Sequence, residues 1–256
     1  MLSASVEQFL EHIAAEQEYS ENTTVAYRND LMQFVSFIDG NMTASQLGAD
    51  SVQNYIEELQ DQGYASSTVA RKVAAIKTFL GYLHHTGTLN RDIARQIETP
   101  KVQRQVTQLL TRQQVNKLLA VPAGSNNPKN LRNQVLLDLL YYTNLRINEM
   151  VELTVDSYDG KKLHIPLSDG NRREINLNKT SISHIDAYLK TGRPALEKGS
   201  GEKALFLNHR GQSLTRQGLW LIIKMCAEQA GLPGTVTPHI LRRSFDLHQQ
   251  EQATSR

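Results

Sequence analysis

Thr99-Pro100-Lys101-Val102-Gln103-Arg104-Gln105-Val106-Thr107-Gln108 divides this 256-residue chain. The stretch is polar, basic and free of acid, and it opens on a proline that disfavours helix in the residue before it. Long apolar periodicities lie on either side, so we read 99–108 as a linker between a region spanning 1–98 and another spanning 109–256. The charge changes across it. Residues 1–100 hold 6 Lys and Arg against 13 Asp and Glu, a net of −7; residues 101–256 hold 22 against 13, a net of +9. The overall +2 therefore conceals a basic C-terminal region suited to a polyanion, although a solvated basic surface gives the same arithmetic.

Upstream of the linker the period is helical. Val6, Phe9, Leu10 and Ile13 form one stripe, and Tyr27, Leu31, Phe34, Val35 and Ile38 a second, stopped by Gly40. Val52, Tyr55, Ile56 and Leu59 form a third, with Asp50 as expected N-cap and Gly63 at its end. Val69, Val73, Ile76, Leu80 and Leu83 form a fourth, with Ser66 or Ser67 as expected cap and Gly87 beyond it. These residues describe a small helical bundle.

Downstream, Thr111 and Gln114 form a capping-box pattern ahead of Val115, Leu118 and Leu119. A buried helix is expected from about Asn130 to Tyr142, and a short one from Ile147 to Leu153. The period then changes to two: Leu163, Ile165 and Leu167 alternate with polar residues, Ser168-Asp169-Gly170-Asn171 supplies a turn, and Ile175 and Leu177 resume the alternation. Helices return at Ser181–Lys190 and Thr215–Ala230. The fold class is thus mainly α with a small β-hairpin, an α+β arrangement.

Composition narrows the function. No apolar run is long enough to span a membrane, no signal-peptide pattern opens the chain, and the single Cys226 cannot form an internal disulfide, so a cytoplasmic setting is expected. The phosphate-loop pattern, the His-Glu-x-x-His zinc motif, paired Cys-x-x-Cys motifs and the Gly-x-Ser-x-Gly elbow are all missing from the sequence. No metal site and no cofactor are expected.

Two basic segments remain. Thr143-Asn144-Leu145-Arg146-Ile147-Asn148-Glu149-Met150 follows the apolar helix and presents an arginine at a tight turn, where its fork suits a phosphate. In Thr237-Pro238-His239-Ile240-Leu241-Arg242-Arg243-Ser244-Phe245, Pro238 presets a helix start, with His239 and Arg242 on one face. Taken singly, each also fits a structural reading: Arg146 paired with Glu149, or a solvated basic helix start.

Together and in this order, Leu145-Arg146-x-x-Glu149 and His239-x-Leu241-Arg242-x-Ser244-Phe245 resemble the two arginine boxes of the tyrosine recombinase (phage integrase) family, especially its Xer-like branch. Leu205-Phe206-Leu207-Asn208-His209-Arg210-Gly211, followed by Leu214-Thr215-Arg216, resembles the segment preceding the second box. The helical N-terminal region is similar to the family's core-binding domain. The resemblance implies a two-domain clamp around double-stranded DNA, with strand breakage and rejoining through a 3′-phosphotyrosyl linkage and without metal or ATP. It gives Arg146 and Arg242 the role of holding the scissile phosphate, and His239 that of bonding it or assisting proton transfer. It implies a tetramer on DNA for a full-length form, and a monomer is expected for this chain alone.

The sequence also departs from the pattern. Asp169 stands where the resemblance implies a hairpin lysine, and Asn144 replaces the usual glycine before Leu145. All nine tyrosines lie upstream of Arg242, so none stands where the family places its nucleophile. The sequence therefore reads as a recombinase truncated before that tyrosine and unable to cleave DNA alone. A naturally inactive relative that regulates through DNA binding is an alternative, and a helical interaction module without DNA binding another. Further DNA contacts are expected at Thr68, Arg71, Lys72 and Lys77 on the fourth helix, and at Lys129, Arg132, Arg172, Arg173, Arg216 and Lys224.

Overall fold

A computed structural model of the chain describes residues 2–16, 19–38, 42–102, 109–167 and 170–254, with side chains as far as Glu251. It divides into two compact units, Met1–Gln105 and Val106–Arg256, each with its own apolar core. Residues 103–108 of the expected linker lie outside the described residues, as do Gly40, Ser168 and Asp169. No described helix is long and apolar enough to cross a membrane.

The first unit packs four helices: α1 (Leu2–Ala15), α2 (Glu21–Phe37), α3 (Ala49–Asp61) and α4 (Ser66–His85). Each buries the stripe that its periodicity marks, except that Tyr27 of the second is only partly buried, and Phe9, Phe34, Tyr55, Ile76 and Phe79 are almost wholly enclosed. Two caps differ from expectation. Gly48 rather than Asp50 stands at the N-cap of α3, in extended backbone, so Asp50 falls in the first turn. Ala65 precedes α4 and gives no side-chain cap, because the helix already includes Ser66. Acid in the first turn still complements the α3 dipole, and α4 holds its place by packing.

The second unit is built around α6 (Pro128–Tyr142), whose Val135, Leu136, Leu137, Leu139 and Leu140 are fully enclosed. Asn127 caps it, its Oδ1 accepting from Asn130 N at 2.9 Å, and Pro128 occupies a first-turn position where no N–H is needed. Before it, Thr111 and Gln114 make the reciprocal capping box that opens α5 (Arg112–Ala120). After it come α7 (Ile147–Glu152) and the antiparallel hairpin β1 (Lys162–Pro166) and β2 (Arg172–Asn176), in the register Ile165↔Arg173. Helix α8 (Lys179–Ala187) runs into a single π turn at Tyr188–Gly192 and then α9 (Arg193–Glu197), a more broken path than one helix from Ser181 to Lys190. The bulge brings Gly192 against Tyr188 and Leu131, where an added Cβ would meet Tyr188 at 2.9 Å. Helices α10 (Arg216–Gln229) and α11 (Pro238–Thr254) complete the unit.

Asp138, the one acid inside the apolar α6, is nearly buried and hydrogen-bonded to His184 of α8. Gln134 meets the other ring nitrogen of His184 at 2.9 Å. Burial pushes the Asp138 carboxyl up, and His184 opposes that rise. This polar contact joins α6 to α8.

Candidate active site

Helix α11 presents the second basic box because its two faces differ. Ile240, Leu241, Ser244 and His248 are buried, while His239, Arg243 and Asp246 are exposed and Arg242 is partly exposed. Three anchors fix the buried face. Ser244 Oγ accepts from Leu110 N at 2.9 Å and donates to Ile240 O at 2.7 Å. Tyr141 OH lies 2.8 Å from His248 Nδ1, and Phe245 packs edge-on to Tyr141 with ring centroids 5.3 Å apart. The helical period then turns His239, Arg242 and Asp246 to the other side.

The first box lies directly beside it. Thr143 closes α6, its N–H donating to Leu139 O at 3.0 Å, and Asn144 takes a left-handed conformation with φ 54°. Asparagine tolerates that region better than other residues with a Cβ. The reversal buries Leu145 completely and leaves Arg146 exposed at the N-cap of α7. The boxes touch through Asn144: Arg242 Nε donates to its Oδ1 at 2.8 Å, while its Nδ2 reaches Asp246 Oδ1 at 3.5 Å.

Glu149 draws in the hairpin. Its Oε2 accepts from Arg146 N at 2.6 Å, and its Oε1 pairs with Arg173 at 2.9 Å. The carboxylate therefore meets the backbone of Arg146 and the side chain of Arg173, rather than the Arg146 guanidinium. Arg172, adjacent on β2, is exposed. The structure thus gathers Arg146, Arg173 and Arg242 around Asn144 and Glu149, with His239 on the exposed face of α11 one turn before Arg242. Asp169, expected in place of a hairpin lysine, lies outside the described residues. The left-handed turn at Asn144 was legible in the sequence, whereas its contact with Arg242 and the anchoring place of His248 were not.

The remaining DNA-contact expectations divide by environment. Lys129, Arg216 and Lys224 are exposed; Lys224 lies 5.7 Å from the Trp220 ring and 3.9 Å from Glu228. Arg132 corrects the reading: only 6% exposed, it donates to Leu207 O at 2.7 Å and to Asn133 Oδ1 at 2.9 and 3.1 Å. Its guanidinium is a structural strut, enclosed because it satisfies a buried loop carbonyl, and it does not face solvent. In α4, Lys72 is likewise 5% exposed, held by Asp30 at 2.9 Å and Gln33 at 2.5 Å, so it too is corrected. Arg71 is half-exposed and shares Asp30, Lys77 donates to Ile97 O at 3.0 Å, and Thr68 is half-buried. Acid from α2 thus engages both cations of α4 nearest Thr68.

Comparison with known proteins gives the same picture over both units. A phage integrase family model matches residues 108–253, and one for the phage integrase N-terminal SAM-like domain matches residues 6–87. The tyrosine recombinase XerC of Roseiflexus castenholzii is 41% identical over 253 residues, covering 96% of this chain and 80% of its own length. The tyrosine recombinase XerD of Listeria innocua is 35% identical, covering 95% and 84%. Among solved structures, the Tn1549 transposon integrase in complex with circular intermediate DNA aligns with a TM-score of 0.70 at 18% identity, covering 94% of this chain and 85% of its own. A lambda integrase dimer bound to a COC′ core site aligns at 0.68 and 14%, covering 95% and 88%. With the integrase model spanning residues 108–253 of the second unit and sequence relatives along nearly the entire chain, the protein belongs to the phage integrase family of tyrosine recombinases.

Proposed function

We propose that this chain binds double-stranded DNA and holds one backbone phosphate between Arg146, Arg242 and His239, the step on which site-specific recombination in this family depends. The observation behind this reading is the junction of the two boxes, in which Arg242 Nε is bonded to Asn144, two residues before Arg146. Guanidinium forks suit phosphate oxygens, and fixed donors of this kind stabilise charge that builds as a phosphate becomes pentacoordinate. His239 adds a ring that can bond an oxygen or pass a proton. Arg172 and Arg173 on the hairpin extend the positive surface.

The attacking hydroxyl is not assigned to any tyrosine of this chain. Tyr141 is engaged with His248, Tyr158 donates to Asp186 at 3.0 Å, and Tyr188 is buried in the core. The proposal therefore concerns recognition and polarisation of phosphate. Fluorescence anisotropy on a labelled duplex between 50 and 200 mM salt tests it. Affinity is expected to fall steeply, by orders of magnitude if several phosphates are neutralised, and R242Q is expected to weaken binding on every sequence tried. Binding that is absent, or flat with salt, would overturn the reading and favour a protein-interaction role.

A further inference from the structure

We infer that Asn144 is a positioning residue for Arg242, holding the guanidinium so that its phosphate-facing fork stays open; this rests on the phosphate-site reading above. Four observations lead there. Asn144 sits at φ 54°, a conformation that side chains with a Cβ seldom adopt. The turn is fixed on both sides, by the Thr143 N–H bond to Leu139 O and by the complete burial of Leu145. From that fixed turn its Oδ1 accepts from Arg242 Nε at 2.8 Å. Its Nδ2 faces Asp246 Oδ1 at 3.5 Å, so the amide is bracketed by two residues of one face of α11.

The choice of donor matters. Nε–H is the single-hydrogen side of a guanidinium, and the four remaining N–H groups lie on the two terminal nitrogens. Asn144 uses the former, which leaves both terminal nitrogens for a bidentate grip on an oxyanion. An amide is also the suitable acceptor: it fixes the long Arg242 side chain without neutralising it. A carboxylate at 144 would orient the arginine equally well, but would add a negative charge where phosphate must approach. Glycine would allow the same backbone turn and leave Arg242 to many rotamers, whose loss would then oppose ligand binding. Asp246 bears on the other end of the amide and thereby selects which end of Asn144 faces the arginine.

The test is N144G in the full chain, since glycine accepts a positive φ and keeps the turn; the melting temperature controls for folding. Two readouts are taken. The first is hydrogen exchange of the Arg242 Nε–H in a proton–nitrogen correlation spectrum, assigned by its loss in R242Q. The second is affinity for orthovanadate, a tetrahedral oxyanion that accepts a fifth ligand, followed by the backbone amide shifts of α7. N144G is expected to speed Nε–H exchange and weaken vanadate binding about three- to tenfold, the usual range for one hydrogen bond, with melting little changed. Unchanged Nε–H exchange in N144G would overturn the inference. So would vanadate affinity that survives N144G but is lost in R242Q, an outcome that leaves the phosphate site standing. Vanadate affinity that survives R242Q as well would overturn the phosphate-site reading and this inference with it.

Discussion

His248 shows how a buried side chain can hold the helix that presents Arg242. It is 4% exposed, its Nδ1 meets Tyr141 OH, and its carbonyl accepts from the Arg112 guanidinium at 2.5 Å. Burial and the nearby Arg112 cation hold its ring below the ordinary histidine pKa of 6.5. The unfolded chain therefore binds a proton here more readily than the native one. The stability this ring confers is fully present above about pH 6.5 and is lost as pH falls through that value toward the lower native pKa. Urea denaturation at pH 7.5 and 5.5 is expected to show a larger loss for the wild type than for H248Q, which cannot titrate. Equal losses would mean that His248 is not a source of the acid sensitivity. Because Ser244 and His248 anchor the face opposite Arg242, acidification should also loosen the helix that presents the arginine.

At the scale of elements, the hairpin is the one to watch. A two-stranded sheet is marginal alone, and here only Leu163 and Ile165 are buried, both from β1, while Arg172, Arg173 and Glu174 of β2 are exposed. The Arg173–Glu149 pair ties β2 to α7. Glu149 is 19% exposed and Arg173 42%, a partly screened pair worth up to about 1 kcal/mol. E149Q is expected to raise amide exchange across residues 172–176 by up to about fivefold, with α6 unaffected; unchanged exchange would show that β1 packing alone holds the hairpin. Much of this level was readable in the sequence. Period-three-to-four stripes mark the helices because burial selects one face, and the change to period two marks the strands. Capping chemistry was readable where the side chain itself bonds, as at Thr111, and unreadable at Gly48, where backbone conformation alone ends the preceding loop. The π turn at Tyr188–Gly192 left no local signal; it brings Gly192 against Leu131 of another helix, a contact that the local sequence does not show. Arg132 and Lys72 were misread for a related reason: a cation's pattern in sequence does not reveal a buried carbonyl or acid from a distant segment. The pairing of Asn144 with Arg242 spans 98 positions and is a tertiary fact of the same kind.

For the whole molecule, the split between a net of −7 over residues 1–100 and a net of +9 over residues 101–256 becomes an argument about which unit meets phosphate. In the first unit the cations of α4 are already engaged: Lys72 and Arg71 with Asp30, and Lys77 with the Ile97 carbonyl. A cation that must first leave an acid releases little net free energy on reaching DNA, so this unit should contribute weakly to the salt dependence. In the second unit Lys129, Arg172 and Arg216 are exposed. Each phosphate neutralised adds roughly 0.9 to the slope of log affinity against log salt concentration. Neutralising Lys129, Arg172 and Arg216 together to glutamine is thus expected to reduce the slope by about 2 to 3. Neutralising Arg71 and Lys77 together should reduce it by less than about 1, with the first unit's fold checked by circular dichroism. The two slopes, measured on one duplex, decide the matter. If the Arg71 and Lys77 pair produces the larger change, the acidic helical unit holds the DNA backbone despite its charge, and Asp30 must release its cations on binding.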